Sequence, residues 1–374
     1  MKNLKNDLQI SKGSIIIMIL VVVAFFATAG IAYYLMAYGQ KSGVDKFVSS
    51  NVIRKDTSSI NSNDIENLTP TPISKSFPFE EMTLPSLRRR NYKSSLGELQ
   101  KLADKNNFSS YLTSYDSDGL RINGYLTIPH GQIPEGGWPA VVFVHGYIPP
   151  QEYETTKNYV SYADALADYG LVVFKIDLRG HGQSEGEPMG AYYSESYVVD
   201  TLNAYRALQK SDFVNPDKIG LWGHSMGGNV VFRSKVVIPE IQKVVIWAGA
   251  VFTYEDFSEY KIEDNSYQPP PQESERIKRR EELFDNYGEF DPNSEFWKQI
   301  VPTNYLEDIS GDFQIHHAID DNIVSIEYSR NLEKIFDADG IENQLYEYRS
   351  GGHNITSSSF DLAMQRSADF LTSY

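Results

Sequence analysis

Ser225 is the residue around which the sequence concentrates its chemistry. It lies in Gly223-His-Ser-Met-Gly227, after an apolar run at 218–222 and before a helical pattern at 228–237. A serine on a sharp strand-to-helix turn projects its hydroxyl above the sheet, and glycines are needed where a Cβ would crowd the backbone. The same pattern also arises by chance as an ordinary turn. A nucleophilic role therefore requires a base, an acid and an oxyanion site elsewhere in the chain.

The candidate base is His353, in Ser350-Gly-Gly-His-Asn354. Of the seven histidines, it alone is predicted on a loop between the last strand and the last helix. In an open α/β sheet that loop lies at the carboxyl ends of the strands, where ligands bind. A neutral imidazole there can accept the serine proton and return it to a leaving group. The alternative is a solvated surface histidine, but the two preceding glycines and the position favour catalysis.

The candidate acid lies in the acidic turn of His317-Ala-Ile-Asp-Asp321, at the end of the preceding strand. A carboxylate is needed to fix the imidazole tautomer and to stabilise the imidazolium. Asp320 and Asp321 are both predicted at the same rim as His353. We favour Asp321 and keep Asp320 as the alternative, with the other carboxylate capping the loop or facing solvent.

The oxyanion site requires two backbone N–H groups where negative charge develops. The first is predicted to be that of Met226, which follows the serine at a helix N-terminus. The second is predicted to be that of Tyr147, in the loop after the apolar strand at 140–144. The alternative for Tyr147 is an ordinary aromatic turn residue.

Strand-length apolar runs alternate with helix-length stretches from residue 92 onward. A hairpin around Asp116-Ser-Asp-Gly119 leads into a β/α series, which predicts an α/β fold with about eight strands, a mostly parallel sheet and helices on both faces. Residues 252–311 interrupt the series with a long, charged, proline-bearing stretch. Insertions of that length are often lids over a site, and we prefer that interpretation to a surface excursion. The predicted catalytic domain is 92–374.

The N-terminal part predicts a membrane anchor and a tether. Residues 15–38 carry no charge and are long enough to cross the hydrocarbon core as a helix. A cleaved signal peptide is the alternative, but the segment stays apolar beyond the small residues at 27–29, which favours an uncleaved, single-pass signal anchor. Residues 1–14 form a short tail, and residues 39–91, rich in Ser, Asn and Pro, predict a flexible linker. Lysines and arginines flank both sides, and we expect an extracytoplasmic catalytic domain.

Composition excludes several function classes. The formal net charge of −16 argues against a nucleic-acid partner, and the absence of cysteine excludes disulfides, thiol catalysis and cysteine-ligated metals. No cofactor or metal is expected. The expected partners are a small-molecule ester or short peptide substrate and the membrane; the oligomeric state is left open.

The residues above, taken in order, resemble the α/β-hydrolase superfamily over about 110–374. The resemblance rests on His145-Gly-Tyr147, Asp177-Leu-Arg-Gly-His-Gly-Gln-Ser184, Gly223-His-Ser-Met-Gly227, His317-Ala-Ile-Asp-Asp321 and Gly352-His353. Superfamily members commonly read His-Gly-x-x-Asp-x-x-Val-Pro around the acid, which implies Asp321, although this chain has Ala318 and Ser325 at two of those positions. The stretch 118–129 is similar to catalytic domains of the prolyl oligopeptidase (S9) peptidases, and 177–184 is equally typical of serine aminopeptidase (S33) relatives.

The sequence therefore predicts a membrane-anchored serine hydrolase that cleaves a peptide or ester bond through an acyl-enzyme. A carboxylesterase or lipase-type enzyme is the alternative, and a non-catalytic binding protein on the same fold is a remote one. Glu281 and Glu282, in the insertion, could bind a substrate amine, but solvated helical charge explains them better.

Overall fold

The computed structural model describes residues 77–374, which form one nine-stranded sheet covered by helices. Every strand predicted from the sequence is present. The strands are β1 (Gln100–Asp104), β2 (Phe108–Ser117), β3 (Leu120–Pro129), β4 (Trp138–Val144), β5 (Val172–Ile176), β6 (Val214–His224), β7 (Lys243–Trp247), β8 (Asp312–Ala318) and β9 (Asn343–Tyr348).

The sheet order is β1-β2-β3-β5-β4-β6-β7-β8-β9. In that order, the six strands from β5 to β9, with β4 among them, pair in parallel. The strands β1, β2 and β3 pair antiparallel with their neighbours and form one edge of the sheet. The predicted α/β class and mostly parallel sheet are confirmed. The predicted count of about eight is one short, because β1 is an edge strand with mostly exposed, polar residues and has no apolar alternation.

The helices cover both faces of the sheet, as the continuous Val/Ile runs of the central strands require. Side chains that alternate along β4 to β7 enter two separate apolar clusters, one on each face. Three helices cover one face and two cover the other. In chain order the helices are α1 (Leu84–Arg89), α2 (Val160–Asp168), α3 (Ser196–Gln209), α4 (Met226–Val237), α5 (Tyr254–Glu259), α6 (Glu275–Tyr287), α7 (Glu295–Lys298), α8 (Glu327–Asp339) and α9 (Ser358–Thr372). The first face carries α3, α4 and α8, and the second carries α2 and α9.

The insertion between β7 and β8 holds α5, α6 and α7 and has its own apolar cluster around Trp297 and Leu283. Phe79 and Met82 belong to the same cluster. The predicted linker, 39–91, is therefore too long at its C-terminal end. Within it, 80–82 and 84–89 are helical, and Leu84 and Leu87 are completely buried. The physical reason is the apolar spacing of these side chains, which lies beyond the Ser- and Asn-rich stretch on which the linker prediction rests.

The predicted tail and membrane anchor, 1–14 and 15–38, lie outside the described residues. Between Phe77 and Tyr374, no helix is both long and apolar enough to cross a membrane. The anchor therefore stays a prediction.

Candidate active site

Ser225 occupies a strained turn between β6 and α4. Its backbone has φ 54° and ψ −120°, a conformation that costs a non-glycine residue roughly 1–3 kcal/mol. Its N–H donates to the carbonyl of Trp247 at 2.8 Å, which ties the turn to β7. A Cβ on Gly223 would lie 2.3 Å from the carbonyl oxygen of Gly227, and one on Gly227 would lie 2.4 Å from that of Val144. Both glycines are therefore required by close backbone approach, as the sequence predicted.

Two backbone amides lie where an oxyanion could be bound. Met226 is the first residue of α4, and a first-turn N–H has no acceptor within its helix. Within residues 77–374, neither its N–H nor that of Tyr147 donates to a backbone acceptor. The loop that carries Tyr147 runs against the serine, because a Cβ on Gly146 would lie 3.1 Å from Ser225 Cβ. The Tyr147 hydroxyl exchanges hydrogen bonds with the backbone of Gln268, in the insertion.

Asp321, not Asp320, contacts the candidate base. Its Oδ2 lies 2.7 Å from His353 Nδ1, and its Oδ1 accepts the N–H groups of Ile323 and Val324 at 2.9 and 3.0 Å. The Asp321 side chain is fully buried and that of His353 is 11% exposed. Burial by itself raises the pKa of the Asp321 carboxyl, but hydrogen bonds from His317 and His353 outweigh burial and hold that pKa below its usual range. The carboxylate is therefore charged at neutral pH.

Asp320 has a different task in the same turn. Its Oδ1 accepts the N–H of Gly352 at 2.8 Å and its Oδ2 accepts that of Gly351 at 3.3 Å. It thereby caps the loop that carries His353, which is the alternative role that the sequence left for the second aspartate.

His317 is a second imidazole on the Asp321 carboxylate. Its Nε2 lies 3.1 Å from Asp321 Oδ2 and 3.0 Å from the Val324 carbonyl, and its Nδ1 lies 2.7 Å from Ser329 Oγ. Both neighbours of Nε2 accept hydrogen bonds, so Nε2 carries the proton and the serine hydroxyl donates to Nδ1. His317 is completely buried. It therefore holds the acid in place through the same carboxylate oxygen that faces the base.

His224 links the serine turn to the loop of the base. Its Nε2–H donates to the His353 carbonyl at 2.9 Å, and its Nδ1 accepts from the Tyr159 hydroxyl at 2.6 Å. Burial, with the neighbouring His353 second, lowers the pKa of His224 well below its usual value, so the ring is neutral. The rings of His224 and His353 have centroids 4.5 Å apart.

Ser225 lies between two cavities. The first, of about 370 Å³, includes Met226 and Tyr147 in its wall and receives much of its remaining lining from the insertion. The second, of about 320 Å³, is lined by Ser225, His353, His224 and Tyr162, among others. The insertion therefore covers the site from one side, and the serine is open to a small molecule from two directions.

Sequence reasoning placed all five predicted site residues at this rim, and the structure brings them together; their catalytic roles stay predictions. It set aside His224 and His317 as residues of the turn and of a strand. The available signals were the position of His224 directly before the serine and that of His317 four residues before Asp321. Tyr159 carries no sequence signal, because it reaches the site only through the packing of α2 on the sheet.

Two family models match this part of the chain. Residues 139–264 match the model described as serine aminopeptidase, S33, and residues 202–372 match the one described as BAAT / Acyl-CoA thioester hydrolase C terminal. Among curated proteins, the thiohydrolase aneE of Aspergillus aculeatus is 31% identical over 111 residues, which are 30% of this chain and 32% of that protein. The chain covers less than half the length of the first curated relatives that it matches.

Solved structures share the fold. Acetyl xylan esterase 1 from Thermoanaerobacterium sp. superposes with a TM-score of 0.52 at 19% identity, over 78% of this chain and 94% of that one. Dipeptidyl peptidase 4 from Porphyromonas gingivalis superposes with a TM-score of 0.51 at 18% identity, over 71% of this chain and 35% of that one. At such identities the likeness shows the fold alone, and each of the two family models matches less than half of the chain. The chain therefore has an α/β-hydrolase fold and is similar, over those stretches, to serine aminopeptidases and acyl-CoA thioester hydrolases.

Proposed function

We propose that the protein hydrolyses a carboxylic ester or thioester of a small molecule through an acyl-enzyme on Ser225. The observation that carries this proposal is the convergence of a strained serine with a base held by a buried carboxylate, since Ser225 and His353 line one cavity and Asp321 lies 2.7 Å from the His353 ring. A strained backbone at this serine destabilises the fold, so it is expected only where the exposed hydroxyl has a function.

The same catalytic groups act in the acylation step and again in the deacylation step. Ser225 Oγ attacks the carbonyl carbon and passes its proton to His353 Nε2, while the N–H groups of Met226 and Tyr147 bind the oxyanion. The tetrahedral intermediate expels the alkoxide or thiolate, which takes that proton from His353. Water then attacks the acyl-enzyme, gives its proton to His353 and releases the carboxylic acid as the proton returns to Ser225. Asp321 keeps the His353 Nδ1 protonated throughout and stabilises the imidazolium.

Labelling with a fluorophosphonate probe tests the nucleophile. The full-length protein should be labelled, and Ser225→Ala should abolish labelling. Ser266→Ala is the matched control, because Ser266 lines the same cavity as Ser225 and His353 but lies in the insertion. Labelling that persists in Ser225→Ala and disappears in Ser266→Ala would overturn the assignment.

Cleavage of an aminoacyl or peptide bond is the second candidate, supported by one carboxylate. Asp264 lines both cavities, although its Oδ1 already accepts the N–H and hydroxyl of Ser266. Glu281 and Glu282 are exposed and line neither cavity, so they offer no site for a substrate amine at Ser225. A panel of p-nitrophenyl esters and aminoacyl p-nitroanilides separates the candidates. If the protein is an esterase, it should turn over the esters. Preferential cleavage of the anilides would make the peptidase the better-supported candidate.

We further propose that residues 15–38 anchor the enzyme in a membrane. The support is the uncharged length of this segment, which suffices for one span. The full chain should sediment with membranes and resist alkaline carbonate, whereas a chain that lacks residues 1–40 should be found in the supernatant with its esterase activity intact. Recovery of the full chain in the supernatant would exclude an uncleaved anchor.

A further inference from the structure

The two cavities at Ser225 receive different parts of the substrate, an inference that rests on the proposed function. The base returns its proton to the leaving group, so the leaving group must lie on the side of His353. Of the two cavities, only the smaller one is lined by His353. The larger one, lined by Met226 and the insertion, therefore receives the acyl part of the substrate.

The acyl cavity has a guanidinium in its wall. Arg276, in the first turn of α6, is partly buried and lines this cavity together with Ser225. Its guanidinium lies against Gly190, where a Cβ would come within 3.1 Å of Cζ. The missing side chain at Gly190 therefore makes room for the guanidinium beside the cavity.

Arg276 has no acidic partner within 4 Å among residues 77–374, and its donors make no hydrogen bond to another residue of that range. The other two arginines of the cavity wall differ from Arg276 in their partners or their exposure. Arg279 is paired with Glu81 and Glu195 at 2.8 and 2.9 Å, and Arg280 is exposed. Asp264 is the one carboxylate among the described residues that line this cavity, and its Oδ1 already accepts two hydrogen bonds from Ser266.

The remaining wall is largely apolar or aromatic, with Tyr192, Phe257, Ile277 and Ile323 among its side chains. Such a wall suits a hydrocarbon chain between the reacting carbonyl and a polar end group. A guanidinium without a protein partner, at the edge of such a cavity, is suited to a carboxylate, which it can bind with two parallel N–H···O bonds.

We propose that Arg276 binds an anionic group on the acyl part of the substrate, so that the enzyme prefers acyl chains that end in a carboxylate over neutral chains of the same length. Charge-assisted hydrogen bonds of this kind change affinity by roughly tenfold to a hundredfold.

The test compares the p-nitrophenyl monoester of glutaric acid with p-nitrophenyl pentanoate, which has the same acyl length and no charge. Wild-type protein should show the higher kcat/KM for the glutarate ester. Arg276→Gln should lower that value by roughly tenfold to a hundredfold and change the value for pentanoate by less than about twofold. Lys278→Gln is the matched control: it removes the same charge from the same helix, at an exposed residue that does not line the cavity. It should leave both values unchanged.

The outcomes separate this inference from the proposed function. If pentanoate is cleaved, Ser225 is labelled and Arg276→Gln leaves the ratio of the two esters unchanged, the anion site is wrong and the esterase stands. If 4-acetoxybenzoate, whose charge is on the leaving group, depends on Arg276 instead, the assignment of the cavities is wrong. If neither ester is cleaved and Ser225 is not labelled, the proposed function fails and the inference with it. Calorimetric titration of Ser225→Ala with the glutarate ester supplies a binding readout, which Arg276→Gln in the same background should weaken to the same degree.

Discussion

Replacing Asp321 by asparagine should abolish most of the activity by trapping His353 in the wrong tautomer. Asp321 Oδ1 accepts two backbone N–H groups, those of Ile323 and Val324. An asparagine must keep its oxygen at that position, so its NH₂ replaces Oδ2 and faces both His353 Nδ1 and His317 Nε2. Because an NH₂ group cannot accept a hydrogen bond, His353 Nδ1 must become the acceptor and Nε2 must carry the proton. A protonated Nε2 cannot take the proton of Ser225.

The expected magnitude follows from that tautomer. Where the same exchange has been made in a serine–histidine–aspartate site, kcat falls by about four orders of magnitude. We expect Asp321→Asn to lower kcat by roughly 10³- to 10⁴-fold, equivalent to about 4–5.5 kcal/mol of activation free energy. KM should change little, because the carboxylate is fully buried and lines neither cavity.

Asp320→Asn is the matched control, since it removes the adjacent charge from the same turn. Asp320 accepts two N–H groups of the loop and makes no hydrogen bond to the His353 ring. An amide oxygen can keep the bond to Gly352, so kcat should fall by less than about tenfold. The assay is p-nitrophenyl ester hydrolysis at saturating substrate, with a thermal melt of each variant to verify folding. Equal losses in the two variants, or more than a tenth of wild-type kcat in Asp321→Asn, would refute the tautomer argument.

Three further perturbations test the surroundings of the site. Gly146→Ala should lower kcat at least tenfold, because the added Cβ meets the Tyr159 hydroxyl at 2.5 Å and Ser225 Cβ at 3.1 Å; ester hydrolysis measures it, and an unchanged kcat would contradict it. Tyr159→Phe leaves a buried imidazole nitrogen of His224 without its donor, and urea unfolding should show a loss of about 1–3 kcal/mol. Acidification should destabilise the fold, because burial holds the pKa of four histidines below the unfolded value of about 6.5. Below that pH the unfolded chain binds protons that the folded chain does not. Each histidine therefore lowers the free energy of unfolding by on the order of 1 kcal/mol per pH unit below that value. The four are His145, His181, with a pKa of about 4, His224 and His316, with a pKa of about 3. Urea unfolding at pH 7.5 and 5.5 measures the loss, and equal stability at the two values would contradict the prediction.

The sequence predicted the fold well because its information is local. Val/Ile runs fix the parallel strands, and the apolar strand predicted at 140–144 lies within β4. The strand β1 escaped prediction because an exposed edge carries no apolar period. The helical turns at 80–82 and 84–89 escaped because their partners are distant in the chain. Leu84 and Leu87 pack into the apolar cluster that α4 also enters, Leu84 N–H donates to the Gln299 carbonyl, and Glu81 pairs with Arg279.

For the candidate site, sequence order predicted which residues lie together at the rim of the sheet, but not the contacts that connect them. The choice between Asp320 and Asp321 depends on which carboxylate turns inward, and adjacent residues in a turn carry no periodic signal that decides it. The proposed role of Arg276 was equally hidden, since the sequence predicts that a charged residue on a polar helix faces solvent. Its position depends on the way in which the insertion folds over the serine, with Gly190 making room for the guanidinium.

The position of the base depends on more than its pairing with the acid. Ser225 follows β6 and His353 follows β9, and β7 and β8 lie between those strands in the sheet. The loop that carries the base must therefore reach across two strands. It is held by Asp321 at the ring, by Asp320 at the amides of 351 and 352, and by His224 at the carbonyl of His353, among other contacts. The last contact acts directly between the residue before the nucleophile and the base itself. Because a misplacement of about 1 Å costs on the order of a hundredfold in rate, these backbone contacts contribute to the chemistry by positioning the ring, although none of them touches the substrate.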